Sequence, residues 1–127
     1  MDIYIYQTYE QWYNDKPLEV LDGEIINLYN GLIAIDTLID GKNYRQIFSP
    51  QKNFAVIYKL QYSFVGFPKE INIYLSSASW EKSNPEMTFN GEVCEDECSD
   101  NYFVFLNDDG YKQYISLNGI YSIVYER

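Results

Sequence analysis

Residues 102–125 read YFVFLNDDGYKQYISLNGIYSIVY, and they contain three short runs of β-branched and aromatic residues. The runs are separated by two turn dipeptides, Asp109-Gly110 and Asn118-Gly119. Such dipeptides tolerate the positive φ angles of tight turns, whereas β-branched and aromatic side chains pack well on a pleated sheet. The pattern therefore predicts three consecutive strands, at Tyr102–Leu106, Tyr111–Leu117 and Ile120–Tyr125.

The rest of the chain shows the same alternation of short apolar runs and turn dipeptides. Turn signals occur at Asp22-Gly23, Asn30-Gly31 and Asp40-Gly41, a long strand is predicted at Phe54–Val65, and Asn90-Gly91 interrupts the run Met87–Val93. The composition of 14 Tyr and 14 Ile against 3 Ala disfavours helix. We therefore expect a mainly β fold: a small barrel or sandwich of short antiparallel strands over residues 1–127, a single domain. At most one or two short helices are expected, near Tyr9–Lys16 and around Trp80.

The sequence also indicates an internal tandem repeat. Tyr44-Arg45-Gln46 aligns with Tyr111-Lys112-Gln113 at an offset of 67, and the same offset aligns the apolar runs 54–58 and 121–125. A repeat of this kind is one supersecondary unit used twice, and each copy buries its apolar face against something else. The predicted repeat units are residues 36–58 and 103–125.

Charge and composition exclude several classes of function. The chain has no His, which excludes imidazole-based triads and His-ligated metal sites, and its net charge of −10 disfavours direct binding of nucleic acid or of anionic lipid. The sequence contains no apolar run long enough to span a membrane and no signal-peptide pattern. The expected location is the cytoplasm.

Most of the negative charge lies in one segment. Eight acidic residues fall between Glu86 and Asp109, and the chain has no Lys or Arg between Lys82 and Lys112. Concentrated negative charge steers a protein toward basic partners, and carboxylates spaced along a strand can imitate the phosphates of nucleic acid. The other interpretation is a solvated loop that maintains solubility. A Ca²⁺ site is a weaker alternative because the EF-hand pattern is missing.

Two cysteines, Cys94 and Cys98, lie in this acidic segment. Two Cys without His cannot fill a tetrahedral zinc site, and their spacing differs from the Cys-x-x-Cys redox motif. The surrounding carboxylates are expected to raise the pKa of both thiols and to make them unreactive. Reduced structural thiols and a local disulfide are both compatible with the sequence. No cofactor and no metal are expected.

These observations favour a small acidic binding protein that is not an enzyme. The predicted function is to neutralise a basic partner, either a toxin or a protein that handles nucleic acid, in the manner of an immunity or anti-defence protein of bacterial or phage origin. The predicted electrostatic contacts are Glu92, Glu95, Asp96, Glu97, Asp100, Asp108 and Asp109. Tyr102 and Tyr114 are predicted to be exposed apolar anchors beside them, since rings are enriched in binding surfaces.

Two other functions are compatible with the same features. One is a structural subunit, encoded by a phage or a plasmid, that self-assembles by pairing edge strands or stacking its repeats. The other is a carbohydrate-binding module that uses Trp80 and rows of Tyr.

Overall fold

The structure is a computed structural model that describes residues 1–28, 31–60 and 68–127. These residues contain eleven strands and two five-residue helices. In chain order the elements are β1 (Asp2–Tyr6), α1 (Tyr9–Tyr13), β2 (Glu19–Asp22), β3 (Glu24–Asn27), β4 (Ile33–Ile39), β5 (Lys42–Ile47), β6 (Ala55–Lys59), β7 (Lys69–Tyr74), α2 (Ser77–Glu81), β8 (Met87–Val93), β9 (Tyr102–Asn107), β10 (Tyr111–Ser116) and β11 (Ser122–Tyr125). Single 3₁₀ turns lie at Glu95–Glu97 and Leu117–Gly119. The predicted mainly β fold with two short helices is confirmed.

The strands form two antiparallel sheets. Eight of them are ordered β11-β7-β8-β9-β10-β6-β1-β2, and the other three are ordered β3-β4-β5. The predicted reversal at Asp40-Gly41 joins β4 to β5, and both of its residues have positive φ, 51° and 78°. Asn30 of the predicted Asn30-Gly31 turn lies outside the described residues, as do residues 61–65 of the long strand predicted at Phe54–Val65, of which β6 is the described part.

Two glycines mark places where a strand changes its partner. The strand predicted to reverse at Asp22-Gly23 instead bends there: β2 pairs with β1, and β3 continues past the bend to pair with β4. In the same way β8 runs unbroken through Gly91, pairing first with β7 and then with β9. A Cβ atom on Gly23 would lie 2.3 Å from the carbonyl oxygen of Asp36, and one on Gly91 would lie 2.1 Å from that of Leu106. Both glycines therefore permit a close backbone approach and not a tight turn.

The buried side chains form two clusters on opposite faces of the large sheet. Phe105, Ile73 and Trp12 belong to the cluster on one face, and Val104, Tyr114 and Ile3 belong to the cluster on the other. The small sheet covers the second cluster with Ile33 and Ile35 of β4. Because β9 and β10 contribute to both clusters, they are buried on both faces.

The segments predicted as repeat units share part of their strand pairing, but β6 also pairs with β10, whereas β11 pairs only with β7 in the described residues. In each unit the first two strands form a hairpin, β4 with β5 and β9 with β10. The third strand of each unit pairs with a strand that precedes the unit in the chain, β6 with β1 and β11 with β7. The repeat and the single-domain organisation stay predictions. No helix in the three described ranges is long and apolar enough to cross a membrane.

We predict that Gly91→Ala destabilises the fold, because its new methyl group would contact the backbone of β9 and neither strand can move away without breaking pairs. The expected loss in free energy of unfolding is about 1–3 kcal/mol, the usual cost of overpacking. Urea denaturation measures it, with Gly119→Ala as the control, since a Cβ atom at Gly119 meets nothing within 4 Å. Equal stability of the two variants would contradict the close approach at Gly91.

Candidate functional site

Residues 94–100 of the acidic segment pack against β9 and do not form a free loop. Its 3₁₀ turn at Glu95–Glu97 is held on both sides by backbone hydrogen bonds: the N–H of Cys94 donates to Val104 O (2.9 Å), and the N–H of Ser99 donates to Tyr102 O (2.9 Å). The Sγ atom of Cys98 also accepts a hydrogen bond from the N–H of Val104, at 3.2 Å. The backbone of this part of the segment is therefore fixed to the sheet.

Two of the predicted contact residues have intramolecular partners. Lys112 Nζ donates to Glu97 Oε1 at 2.6 Å, and the Lys112 side chain is only 14% exposed. Glu95 Oε1 accepts from the Tyr125 hydroxyl at 2.8 Å and lies 3.8 Å from Arg127 Nε. Lys112 and Arg127 both lie outside the acidic segment, 15 and 32 residues after their partners Glu97 and Glu95, so the charge pattern gave no sign of these pairs. Glu95 and Glu97 are thus partly neutralised by their own chain.

The other five predicted acidic contacts are exposed. The ion pairs found in the described part of the chain involve none of Glu92, Asp96, Asp100, Asp108 and Asp109. We call these five residues the acidic surface. Glu92 lies opposite Leu106, which in turn lies opposite Lys112, so Glu92 and the Glu97–Lys112 pair share one row across the sheet.

Three other residues of the acidic surface lie near the two ends of β9. Asp108 and Asp109 lie in the turn beyond Asn107, and Asp100 precedes the first residue of the strand. At a rise of about 3.4 Å per residue, the six-residue strand separates these ends by roughly 17 Å. A partner that engages the whole acidic surface must therefore cover an area of protein–protein size and not a small-molecule pocket.

The two predicted aromatic anchors are buried, so the expectation that they are exposed is wrong. Tyr102 is 1% and Tyr114 is 2% exposed, and both belong to the core cluster beneath the small sheet. The Tyr102 hydroxyl donates to Phe48 O at 3.3 Å, and the Tyr114 ring stacks on Tyr58 with centroids 6.3 Å apart. Burial raises the pKa of Tyr102 to about 12. The rings fail as anchors because β4 covers the face to which they point.

Both cysteines are free thiols. Burial raises the pKa of Cys94 to about 11, and the upward effect of Glu97 and Glu92 is smaller and is opposed by Lys112. Burial likewise raises the pKa of Cys98. The raised pKa was expected from the neighbouring carboxylates, but its main cause is loss of contact with water. Among the described residues, no group of three His, Cys, Asp or Glu is arranged to hold a metal ion.

The comparisons with known proteins give no relative to reason from. No family model, no curated protein and no solved structure matches this chain.

We predict that both thiols of the folded protein are reduced and react slowly. A raised pKa lowers the thiolate fraction at neutral pH, so alkylation by iodoacetamide at pH 7.5 is expected to be at least about tenfold slower than in the urea-unfolded chain. Intact mass spectrometry follows the added groups, and the mass of the unreduced protein should equal that of the reduced protein. A mass lower by two hydrogens would show a disulfide and contradict the prediction.

Proposed function

We propose that this protein is a non-enzymatic binding protein that captures a basic protein partner through the acidic surface. The partner class is a toxin or a protein that handles nucleic acid, because such proteins carry the dense positive charge that exposed carboxylates attract. The observation that carries the proposal is the packed backbone beneath the acidic surface, with five exposed carboxylates that have no cation among the described residues.

The packing of the segment bears on affinity. A flexible acidic tether loses backbone conformational entropy when it binds, whereas the backbone that carries these carboxylates is already ordered by its packing on the sheet. The Glu97–Lys112 pair contributes to this order, because it ties the turn to β10 at 2.6 Å. The segment therefore has the properties of a preorganised docking surface.

The chemistry of the nucleophilic side chains supports a binding role over a catalytic one. Cys94, Cys98 and Tyr114 all have a pKa raised chiefly by burial, so at neutral pH each holds its proton and is a poor nucleophile. Each also belongs to, or packs against, the core cluster under β4. Their packing and their raised pKa values support a binding role and not a nucleophilic one.

We predict that reversing Glu92, Asp96 and Asp100 to Lys abolishes capture of the basic partner without unfolding the domain. Glu95 and Glu97 are left unchanged because their intramolecular partners would be lost with them. Tagged protein is incubated with lysate of its native host at low salt and eluted with high salt, and mass spectrometry identifies the bound proteins. The wild type should retain a basic protein, and the variant should retain it at least about tenfold less.

The matched control reverses Glu10, Glu19 and Glu24, three exposed carboxylates outside the acidic surface. Both triple variants have a net charge of −4 in place of −10, so total charge cannot explain a difference between them. Equal loss in both variants, or full capture by the first, would contradict a docking role for the acidic surface.

A further inference from the structure

The first and second halves of the chain carry matching features. Residues 3–26 and 71–94 align at a constant offset of 68, which pairs Ile3 with Ile71, Ile5 with Ile73, Tyr6 with Tyr74, Trp12 with Trp80, Pro17 with Pro85, and Gly23 with Gly91. The two helices begin with capping boxes at Thr8 and Ser76, and each is followed by a residue of positive φ, Asp15 and Ser83. These are also 68 apart. From β10 onward the offset is 67, so that Gln46 corresponds to Gln113 and Val124 to Ile57.

Among the described residues, strand pairing between the two halves, residues 2–59 and 69–125, occurs at one place. Strand β10 of the second half pairs with β6 of the first, with Gln113 opposite Ile57 and Tyr114 opposite Val56. Trp12 of the first half donates from Nε1 to Gln113 Oε1 at 3.1 Å, and this bond is buried. Tyr114 stacks on Tyr58. We call this set of contacts the internal junction.

The equivalent contacts of the opposite strands are not made. In the described ranges β5, the counterpart of β10, pairs only with β4, and β11, the counterpart of β6, pairs only with β7. The counterparts of buried junction residues are correspondingly exposed: Trp80 is 46%, Ile47 is 59% and Val124 is 45% exposed. Thus β5 and β11 each have one edge without a partner strand in the described ranges, whereas the corresponding edges of β10 and β6 pair with each other.

Symmetry determines what can cover these edges. If a twofold axis related the halves, the junction would form twice within one chain, because a twofold contact is reciprocal. It forms once, so the relation between the halves is head-to-tail. If the remaining edges make the same kind of contact, the second half of one copy pairs with the first half of another copy of this chain.

We propose that β5 of one copy pairs with β11 of a second copy, and that this contact repeats the internal junction between chains. The offset of 67 sets the register: Gln46 opposite Val124, Ile47 opposite Ile123, and Phe48 opposite Ser122. Trp80 of one copy then donates to Gln46 of the next, as Trp12 donates to Gln113. This inference goes beyond the proposed capture of a basic partner and uses a different surface.

A groove beside β11 supports the second copy as the occupant. Its volume is about 560 Å³, and its lining includes Phe103, Leu117, Ile123 and Tyr125. Ile123 and Tyr125 are the counterparts of Val56 and Tyr58, which Tyr114 covers at the internal junction. The groove therefore lies beside β11 at the position that corresponds to the one Tyr114 occupies beside β6. Ile47, the counterpart of Tyr114, is the side chain that would enter it.

The distribution of exposed apolar side chains agrees with this. The described residues include eleven large exposed hydrophobic side chains, and seven of them lie on or next to the two edge strands: Tyr44 and Ile47 on β5, Leu38 and Ile39 on the adjoining β4, Val124 on β11, and Tyr121 and Trp80 beside it. Exposed apolar clusters on unpaired strands favour association. The hydrogen bonds of the internal junction show which of its residue pairs lie close together. The N–H of Leu60 donates to Gly110 O, and the N–H of Ser116 donates to Phe54 O. Hydrogen-bonded pairs alternate with non-hydrogen-bonded pairs along antiparallel strands, so Gln113 and Ile57 form a non-hydrogen-bonded pair, the kind with the shorter Cα–Cα distance.

Disulfide trapping tests the register. The equivalent Gln46–Val124 pair is expected to have Cα atoms about 4.5 Å apart, within the range of a disulfide. Chains with Gln46→Cys are mixed with chains that carry Val124→Cys and are mildly oxidised. A covalent dimer with one chain of each kind is expected. The control mixture replaces Val124→Cys with Val20→Cys, an equally exposed edge position on β2, and should give at least about tenfold less dimer.

Sedimentation of the unmodified protein tests the assembly itself. Micromolar wild-type protein is expected at a multiple of 15.0 kDa, and Ile47→Lys is expected to sediment as a monomer with an unchanged circular dichroism spectrum. Val20→Lys, the control, should assemble like the wild type. A monomeric wild type, or a disulfide within one chain that carries both Gln46→Cys and Val124→Cys, would overturn the second copy as the occupant. Neither result bears on the acidic surface, which the charge-reversal variants test separately.

Discussion

The pairing of β10 with β6 is the interaction on which the rest of this structure depends. It joins the halves of the chain into one eight-stranded sheet, and the buried bond from Trp12 to Gln113 closes it on one side. Because this junction is central, β9 and β10 have protein on both faces. One face holds Phe103, Phe105 and Ile115, and the other holds Tyr102, Val104 and Tyr114. Neither core cluster could form from one half alone, since each contains side chains from both.

Local sequence signals predicted the class of the fold well and its long-range features poorly. The runs of β-branched and aromatic residues and the Asp40-Gly41 turn correspond to strands and a reversal because these preferences act within a few residues. The prediction of a tight turn at Asp22-Gly23 was wrong because Gly23 is required by the close approach of the carbonyl of Asp36, a residue distant in the sequence. Tyr102 and Tyr114 were misplaced for a related reason: a strand buried on both faces loses the alternation from which exposure is predicted.

The candidate site was predicted in its location but not in its electrostatics. A segment of eight carboxylates that contains no Lys or Arg is easily found in a sequence, and six of its seven predicted acidic contacts are exposed. Lys112 and Arg127 were missed as partners because they reach Glu97 and Glu95 only after folding. The sequence also contains a signal for the contact between β5 and β11, namely the offset of 68 that relates Trp12 to Trp80. Once these two residues are recognised as counterparts, the burial of Trp12 and the exposure of Trp80 indicate that a contact is missing around Trp80.

The two proposed surfaces respond to salt in opposite directions, and this follows from the charge of the chain. A copy of charge −10 repels another copy, so the apolar contact between β5 and β11 strengthens when ions screen that repulsion, over a Debye length of about 8 Å at physiological ionic strength. Attraction between the acidic surface and a basic partner weakens under the same screening. If copies join head-to-tail, each one adds another acidic surface, and the gain in effective concentration offsets part of that loss. Assembly would therefore extend the range of salt over which a weak electrostatic contact remains useful, which gives self-association a physical role in binding and not only in structure.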